Sequence, residues 1–356
     1  PDIMKTFKGK NIYVGLDVHK ASVEMKVFSD NLSLGNAVKL RPFTSEVIFK
    51  YLNKHYPEAN YHCVYEAGFS GFWLQRELEG LGIDCRIVNP ADVPTSHKDK
   101  VYKNDKVDCI KLGRGLRSSD LRGIYVLNEK QELDRCLVRQ RGKVAKNIIR
   151  TKNQIKSHLN FIGVKIDWEE GTSERYWSKR MISQILANSE KRDDLALQGF
   201  LEMLEVLRKE NLKGLRRIRQ LSKTAEHQKV IESLIGIKGI GSLSAMIIKT
   251  ELVDIGRFSS FDHLQSYVGL IPGQRSSSDS DVKGKITRRS NVRVRGVLIQ
   301  CAWAAVRFDS EMSVYYEEQK ERLRRSQLAI IKVAVKLLRK INYEWANTKL
   351  AHEDCR

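Results

Sequence analysis

Apolar and polar positions change their spacing twice along this chain of 356 residues. Residues 11–18 (NIYVGLDV) form a β-rich run, residues 21–30 alternate apolar and polar side chains, and residues 36–43 supply a third run after a turn signal at 33–36. Three consecutive antiparallel strands are predicted. Residues 44–56 place Val47, Ile48, Tyr51 and Leu52 at helical spacing, and residues 61–67 (YHCVYEA) read as a buried strand. A helix over 72–81, a strand over 84–90 and a closing helix over 105–118 complete the first segment. The period then becomes helical. Leu133, Leu137, Val144, Ile148, Ile155, Leu159 and Ile162 make one heptad stripe, and Leu197, Leu201, Leu204, Asn211, Leu215, Ile218 and Ala225 make another. Two such stripes predict an antiparallel hairpin or a dimerising coiled coil. Beyond residue 230 the chain turns compact, with a glycine-punctuated LIGIKGIG, a polar loop over 272–287, an apolar helix ending near 308 and an amphipathic helix over 328–345.

The expected division is therefore 1–125, an α/β domain; 126–229, coiled-coil helices; and 230–356, a mainly helical domain. The order βββαβαβα in the first segment is the ribonuclease H-like layout, a mixed sheet with helices packed on it. Charge narrows the class of partner. The 63 Lys and Arg outnumber the 43 Asp and Glu, leaving a net charge of +20, which points to a polyanion, most simply nucleic acid. Two tracts carry cations and no acid: Arg135, Arg139, Arg141, Lys143, Lys146, Arg150, Lys152 and Lys156, then Lys283, Lys285, Arg288, Arg289, Arg293 and Arg295. A solvated helix face is the plainer meaning of such a tract, but the absence of acids favours phosphate contacts. No apolar run approaches a membrane span, and the N-terminal residues lack a secretory apolar region, so a cytoplasmic, nucleoid-associated protein with no membrane partner is expected. The six cysteines show no CxxC spacing and read as reduced structural thiols.

Three constellations carry candidate chemistry. Asp17 directly follows one apolar strand, Glu66 ends another, and Asp105 and Asp108 stand three apart on one helix face. An isolated acid is usually a surface residue, but four that converge on one sheet edge can hold Mg²⁺ or Mn²⁺, because hard cations take oxygen ligands and a metal pair stabilises both attacking and leaving oxygens of a phosphodiester. Gly236, Gly239 and Gly241 lie between two helical segments and read as a helix-hairpin-helix, in which backbone N–H groups of Gly239 and Gly241 approach a phosphate. An ordinary interhelical turn is the alternative. Ser276, Ser277, Ser278 and Ser280 lie in a polar stretch just before the second basic tract. Such a run is commonly only a flexible loop, yet any of these hydroxyls can act as a nucleophile when activated and flanked by cations.

Taken together, VGLDVHK (14–20), YEAGFSGFWLQRELEGLGIDCRIVNP (65–90), KNDKVD (103–108), LDRCLVRQR (133–141), GIKGIG and FSSFDHLQSYVGLIPGQRSSS (258–278) resemble the DEDD-type transposases of the insertion-sequence family numbered one hundred and ten, with its eleven-eleven subgroup and the Piv-like invertases. The resemblance implies a RuvC-like N-terminal domain with metal-binding Asp17, Glu66, Asp105 and Asp108, then a coiled coil, then a transposase domain. Counting from the Gly-Leu-x-Pro turn, it implies Ser277 as nucleophile. It also implies guidance by a structured noncoding bridge RNA that pairs with donor and target DNA. Three positions depart from the family pattern: Ser278 follows the nucleophile in place of Gly, Lys238 replaces the hairpin Pro, and Arg289-Ser290-Asn291 replaces Lys-x-Gly-Asn.

The favoured function is an RNA-guided recombinase that cuts and rejoins DNA through a phosphoserine, as a homodimer assembling to a tetramer. The alternative is a metal-only RuvC-like nuclease or Holliday-junction resolvase. A nonenzymatic nucleic-acid scaffold is a third class. Arg139, Lys143, Lys146, Arg150, Gly239, Gly241 and the second tract are the expected nucleic-acid contacts.

Overall fold

The alternation over residues 11–40 becomes three antiparallel strands in the computed structural model: β1 (Asn11–Val18), β2 (Val23–Ser29) and β3 (Ser33–Leu40). The structure describes residues 7–94, 105–165, 177–277, 280–286 and 290–353, with the side chains of 105–106, 272–277, 280–286 and 349–353 outside the description. Strand β3 starts at Ser33, inside the stretch expected to turn, because a bulge between Met25 and Val27 lets Phe28 pair with Ser33 and Val27 with Leu34. Helix α1 (Ser45–His55) follows, its first turn capped by the Thr44 hydroxyl, which accepts from the Val47 N–H. Then come β4 (Asn60–Glu66), α2 (Trp73–Gly80), β5 (Asp84–Val88) and α3 (Asp105–Arg117).

The sheet order is β3-β2-β1-β4-β5, with β1 antiparallel to β2 and parallel to β4. Period-two alternation divides its faces. Ile12, Val14, Leu16, Cys63 and Tyr65 pack with Ile48 and Leu52 of α1 and with Leu74 and Leu78 of α2. Val64 and Val88 pack with Leu112 and Leu116 of α3, against which Tyr13 also lies. Helix α3 sits very close to the sheet: a Cβ on Gly15 would lie 2.0 Å from the Cys109 carbonyl oxygen and 2.4 Å from the Gly113 nitrogen. Only glycine at that β1 position admits the helix at this distance.

Packing divides the chain into two compact units that meet at Asn128 and Glu129. The second unit begins with α4 (Glu129–Phe161), α5 (Lys179–Lys191) and α6 (Leu195–Leu221). Helices α4 and α6 run antiparallel: Arg141 lies against Gly214, Thr151 against Met203 and His158 against Asp194. The two stripes thus pair within one chain. Ile155, Leu159, Leu197, Leu201 and Leu204 join Trp177, Met181 and Ile185 in one cluster, and Val138 and Ile218 join the main core. The predicted stripe is off at its start. Leu133 is 62% exposed, and Val138 is buried in the main core instead, because α6 ends at Leu221 and leaves the first turn of α4 beyond its reach.

The remaining elements are α7 (Gln228–Ile235), α8 (Ser242–Leu252), α9 (Phe261–Val268), β6 (Pro272–Ser277), β7 (Ser280–Ile286), α10 (Val292–Phe308), α11 (Ser310–Leu323) and α12 (Ser326–Glu353). Ala302, Ala305, Val333, Leu337 and Trp345 are central to their core. The expected polar loop over 272–287 is instead an antiparallel hairpin in which Ser277 pairs with Ser280 and Ser276 with Asp281. Its serines and charges hid it, since a two-stranded ladder is held by backbone groups and needs no apolar alternation.

Candidate active site

Parallel pairing aligns Leu16 with Tyr65, so the next residues, Asp17 and Glu66, occupy adjacent C-terminal ends of β1 and β4. Both fall on the face covered by α3, one step along from Gly15 and Val64. They line one cleft of about 140 Å³ with Leu16, Val18, Ala67, Gly68, Phe69 and Ser70. The Asp17 side chain is 22% exposed, and its Oδ2 lies 3.2 Å from His19 Nε2. His19 was not anticipated from the sequence, although its place two residues after Asp17 is the available signal.

Helix α3 runs against the direction of β1. Cys109 and Gly113 lie over Gly15, and the Arg117 guanidinium stacks 5.4 Å above Phe28, which pairs with Tyr13 at the other end of the strand. The first turn of α3, carrying Asp105 and Asp108, is therefore directed toward the strand end that carries Asp17. Burial pushes the Cys109 thiol up to about 12, with further contributions from the charges of Glu24 and Asp17, so the field of Asp17 reaches the residue after Asp108. Asp108 pairs with Lys111 at 3.5 Å, and the Asp105 side chain lies outside the described residues. Asp17 and Glu66 offer carboxylate oxygens to the cleft, a donor type that suits a hard divalent cation. A single-ion set would need tighter spacing: among the described residues, three ligand atoms within 4.8 Å of one another occur at Asp134, Glu226 and His227. A two-ion site spreads its donors along a metal–metal separation of roughly 3.5–4 Å, so its acids need not all meet that spacing.

The Asp134, Glu226 and His227 group was also missed in the sequence, its members being too far apart to associate. His227 Nε2 lies 2.9 Å from Asp134 Oδ2, and Lys130 pairs with Glu226. A lysine ammonium already supplies the cation there, and the group ties α4 to the start of α7.

In the second unit, Ser277 is the last residue of β6, and its side chain lies outside the description, as do those of Ser276, Ser278 and Ser280. Lys283 and Lys285 are on β7, again without described side chains, and Arg288 and Arg289 lie outside the described residues. Arg293 and Arg295 occupy the first turn of α10, which contains no acid. Gly241 caps α8 with open space around it, leaving that helix end accessible to an anion. Gly239 has a packing role. Its φ is +95°, and a Cβ there would lie 2.7 Å from the Ala305 nitrogen and the Cys301 carbonyl oxygen, so this glycine serves close packing of the turn on α10.

Lys143, Lys146 and Arg150 are exposed on α4. Arg139 is not available in the same way. Its Nε and Nη2 donate to the two carboxylate oxygens of Glu251 at 2.7 and 2.8 Å, and Arg135 donates to the carbonyls of Thr250 and Glu251. Both guanidiniums are spent inside the fold, because the Glu251 side chain is 1% exposed and a buried carboxylate must be paired. Burial raises the Glu251 pKa, but the hydrogen bonds and charge of Arg139, with Asn291 and Arg135, outweigh it and leave the group below the ordinary carboxylate value.

Comparison with known proteins gives two family matches. Residues 14–164 match a model for DEDD transposases, and residues 231–317 match one described as transposase, IS116/IS110/IS902 family. The chain is 31% identical over 245 residues to the putative transposase y4qE of Sinorhizobium fredii, covering 68% of this chain and 58% of that protein; it thus spans less than two thirds of that relative. It is 26% identical over 306 residues to the transposase for insertion sequence element IS1533 of Leptospira borgpetersenii, covering 83% of this chain and 85% of the relative. Against the transposase for insertion sequence element IS1111A of Coxiella burnetii it is 25% identical over 244 residues, 67% of this chain and 64% of the other. With the acid-bearing sheet end inside one match and the serine hairpin inside the other, the chain belongs to the IS116/IS110/IS902 family of insertion-sequence transposases.

Proposed function

We propose that the protein recombines DNA through a covalent phosphoserine at Ser277, assisted by an RNase H-like acid site of the RuvC type. The observation that carries this reading is the convergence of Asp17 and Glu66 at adjacent strand ends beneath the first turn of α3. Asp17, Glu66, Asp105 and Asp108 would hold Mg²⁺ or Mn²⁺, which supplies Lewis-acid stabilisation of the charge that develops on the phosphate. Ser277 Oγ forms a bond to phosphorus as one DNA oxygen leaves, and the departing oxygen takes up a proton as the serine gives one up. One ester replaces another, so the reverse attack by a DNA hydroxyl rejoins strands without ATP. Cations of the second basic tract stabilise the phosphate during transfer.

Donor and target DNA and a bridge RNA are the proposed partners, supported by the net charge of +20 and the exposed Lys143, Lys146 and Arg150. Association into a dimer, and a tetramer on nucleic acid, is supported by apolar side chains left outside on the helical hairpin: Leu133, Ile149, Met203, Val206 and Leu212 are each more than half exposed. The proposed assembly would let one protomer's acids serve another's serine.

The deciding experiment incubates the full chain with Mg²⁺, the RNA transcribed beside its gene and labelled duplex carrying the element's end, then denatures it. A protein-linked label that disappears in Ser277→Ala is expected. Mg²⁺-dependent cleavage without any adduct would assign the chain to the nuclease or junction-resolvase class. RNA sequenced from the purified complex tests guidance separately.

A further inference from the structure

The hairpin of β6 and β7 leaves the core and returns to it at a single narrow neck. On the outgoing side, Gly269 has φ +78° and ends α9, and the Leu270 carbonyl accepts from Gln265 Nε2 at 3.1 Å. On the returning side, Ser290 lies so close that a Cβ on Gly269 would fall 2.2 Å from the Ser290 Cβ. A backbone bond and a side-chain bond close the neck. The Asn291 N–H donates to the Tyr267 carbonyl at 2.8 Å, and Arg295 Nη1 reaches the Gly269 carbonyl at 3.4 Å.

Asn291 works in two directions. Its Oδ1 accepts from the Val294 N–H at 3.2 Å and so caps α10, while its Nδ2 donates to Glu251 Oε2 at 3.0 Å. Glu251, near the end of α8, thereby collects Arg139 from α4, Asn291 at the base of the arm and, at 3.7 Å, Arg293 from the first turn of α10. A carboxylate 1% exposed that holds three side chains in fixed directions is a rigid reference point.

We infer that Glu251 is a positioning residue for the reaction: through Asn291 it fixes where the β6–β7 arm leaves the core, and hence where Ser277 is presented. This deepens, and rests on, the reading of Ser277 as nucleophile. The carboxylate touches no reacting atom. Its effect belongs in the rate of adduct formation at saturating DNA, because the exposed cations that capture DNA remain in place.

Two variants isolate this role. Glu251→Gln keeps the volume but loses the charge that holds Arg139. Asn291→Ser keeps a residue that caps helices well while removing the Nδ2 link to Glu251. Both are assayed as full chain beside wild type and Ser277→Ala, with Mg²⁺, the flanking RNA and a labelled duplex spanning the element's end. Adduct rate is measured against DNA concentration, and exchange of the Asn291 amide is followed by hydrogen–deuterium exchange. The expected result is at least a tenfold fall in maximal adduct rate for each variant, less than a threefold change in the half-saturating DNA concentration, and faster exchange of the backbone amide at position 291. If Asn291→Ser, with a wild-type melting temperature, forms adduct at the wild-type rate, the positioning role is overturned while the serine reading stands. If Glu251→Gln is unstable, Asn291→Ser alone decides. Should Ser277→Ala form adduct as well as wild type, or wild type form none, the serine reading fails and the inference falls with it.

Discussion

Gly15→Ala puts one methyl group between the sheet and the helix that carries Asp105 and Asp108, half of the proposed acid site. The new Cβ would stand 2.0 Å from the Cys109 carbonyl oxygen, where ordinary contact begins at 3.4 Å. Backbone lies on both sides, so no side chain can swing away, and α3 must move off β1 by about 1.4 Å. Overpacking of this kind costs about 1–3 kcal/mol, visible as a lower melting temperature. The chemical effect is larger. Asp108 adjoins Cys109 and moves with it while Asp17 and Glu66 stay on their strands, and a misplacement of about 1 Å costs on the order of 100-fold in rate. The assay compares thermal melting and Mg²⁺-dependent DNA processing of Gly15→Ala with those of Gly199→Ala. Gly199 lies in α6 with nothing within 4 Å of an added Cβ, so its variant should gain about 0.5–1 kcal/mol and keep full activity. A Gly15→Ala protein that melts and processes DNA like wild type would refute the close approach of α3 and the placement of Asp105 and Asp108 derived from it.

Asp17→Asn should weaken Mn²⁺ binding, measured by calorimetry, while circular dichroism stays unchanged; undiminished binding would remove Asp17 from the metal set. Arg139→Ala leaves Glu251 buried beside weaker partners and should cost about 2–3 kcal/mol, below the 3–5 typical of a fully buried pair because Arg139 is 40% exposed. Since the folded pKa of Glu251 is depressed, its stabilisation is fully present above the ordinary value of about 4.3 and is lost as pH falls through the depressed one. Wild type should therefore lose more stability than Arg139→Ala between about pH 5 and pH 3, and equal losses in urea titrations would contradict this. Replacing Lys143 and Lys146 with Ser should flatten the slope of log K against log salt by about two units, whereas adding the Arg139 change should flatten it no further; a third unit would mean that Arg139 reaches phosphate despite Glu251.

The first unit was readable because its information is local. Alternation in residues 11–29 fixes which face each side chain takes, and an acid placed just after such a strand must emerge at its end, which made Asp17 and Glu66 visible before any pairing was known. Asp105 and Asp108 were visible as an i, i+3 pair, but the closeness of their helix depends on Gly15, which reads in the sequence as an unremarked small residue within a strand. The second unit hid more. Arg139 and Glu251 are 112 residues apart, and nothing in a run of cations says which member will be taken up by a buried carboxylate. Val138 rather than Leu133 is buried because burial depends on where the partner helix ends, at Leu221, which a heptad count does not record. At Gly239 the sequence records freedom of φ but not the α10 backbone lying against it.

The neck at Gly269 and Ser290 makes the β6–β7 arm a loop closed at its base by contacts that do not involve its tip. The entropic cost of bringing its ends together is met by the α9 and α10 junction, so it depends only weakly on how many residues lie between, with each doubling adding about 0.6 kcal/mol. Arm length and composition are thereby decoupled from the stability of the helical core. Within this architecture, the hairpin proposed to present Ser277 can be lengthened, shortened or rewritten while its point of departure stays constant. The fold thus separates what the protein acts upon from what keeps it folded.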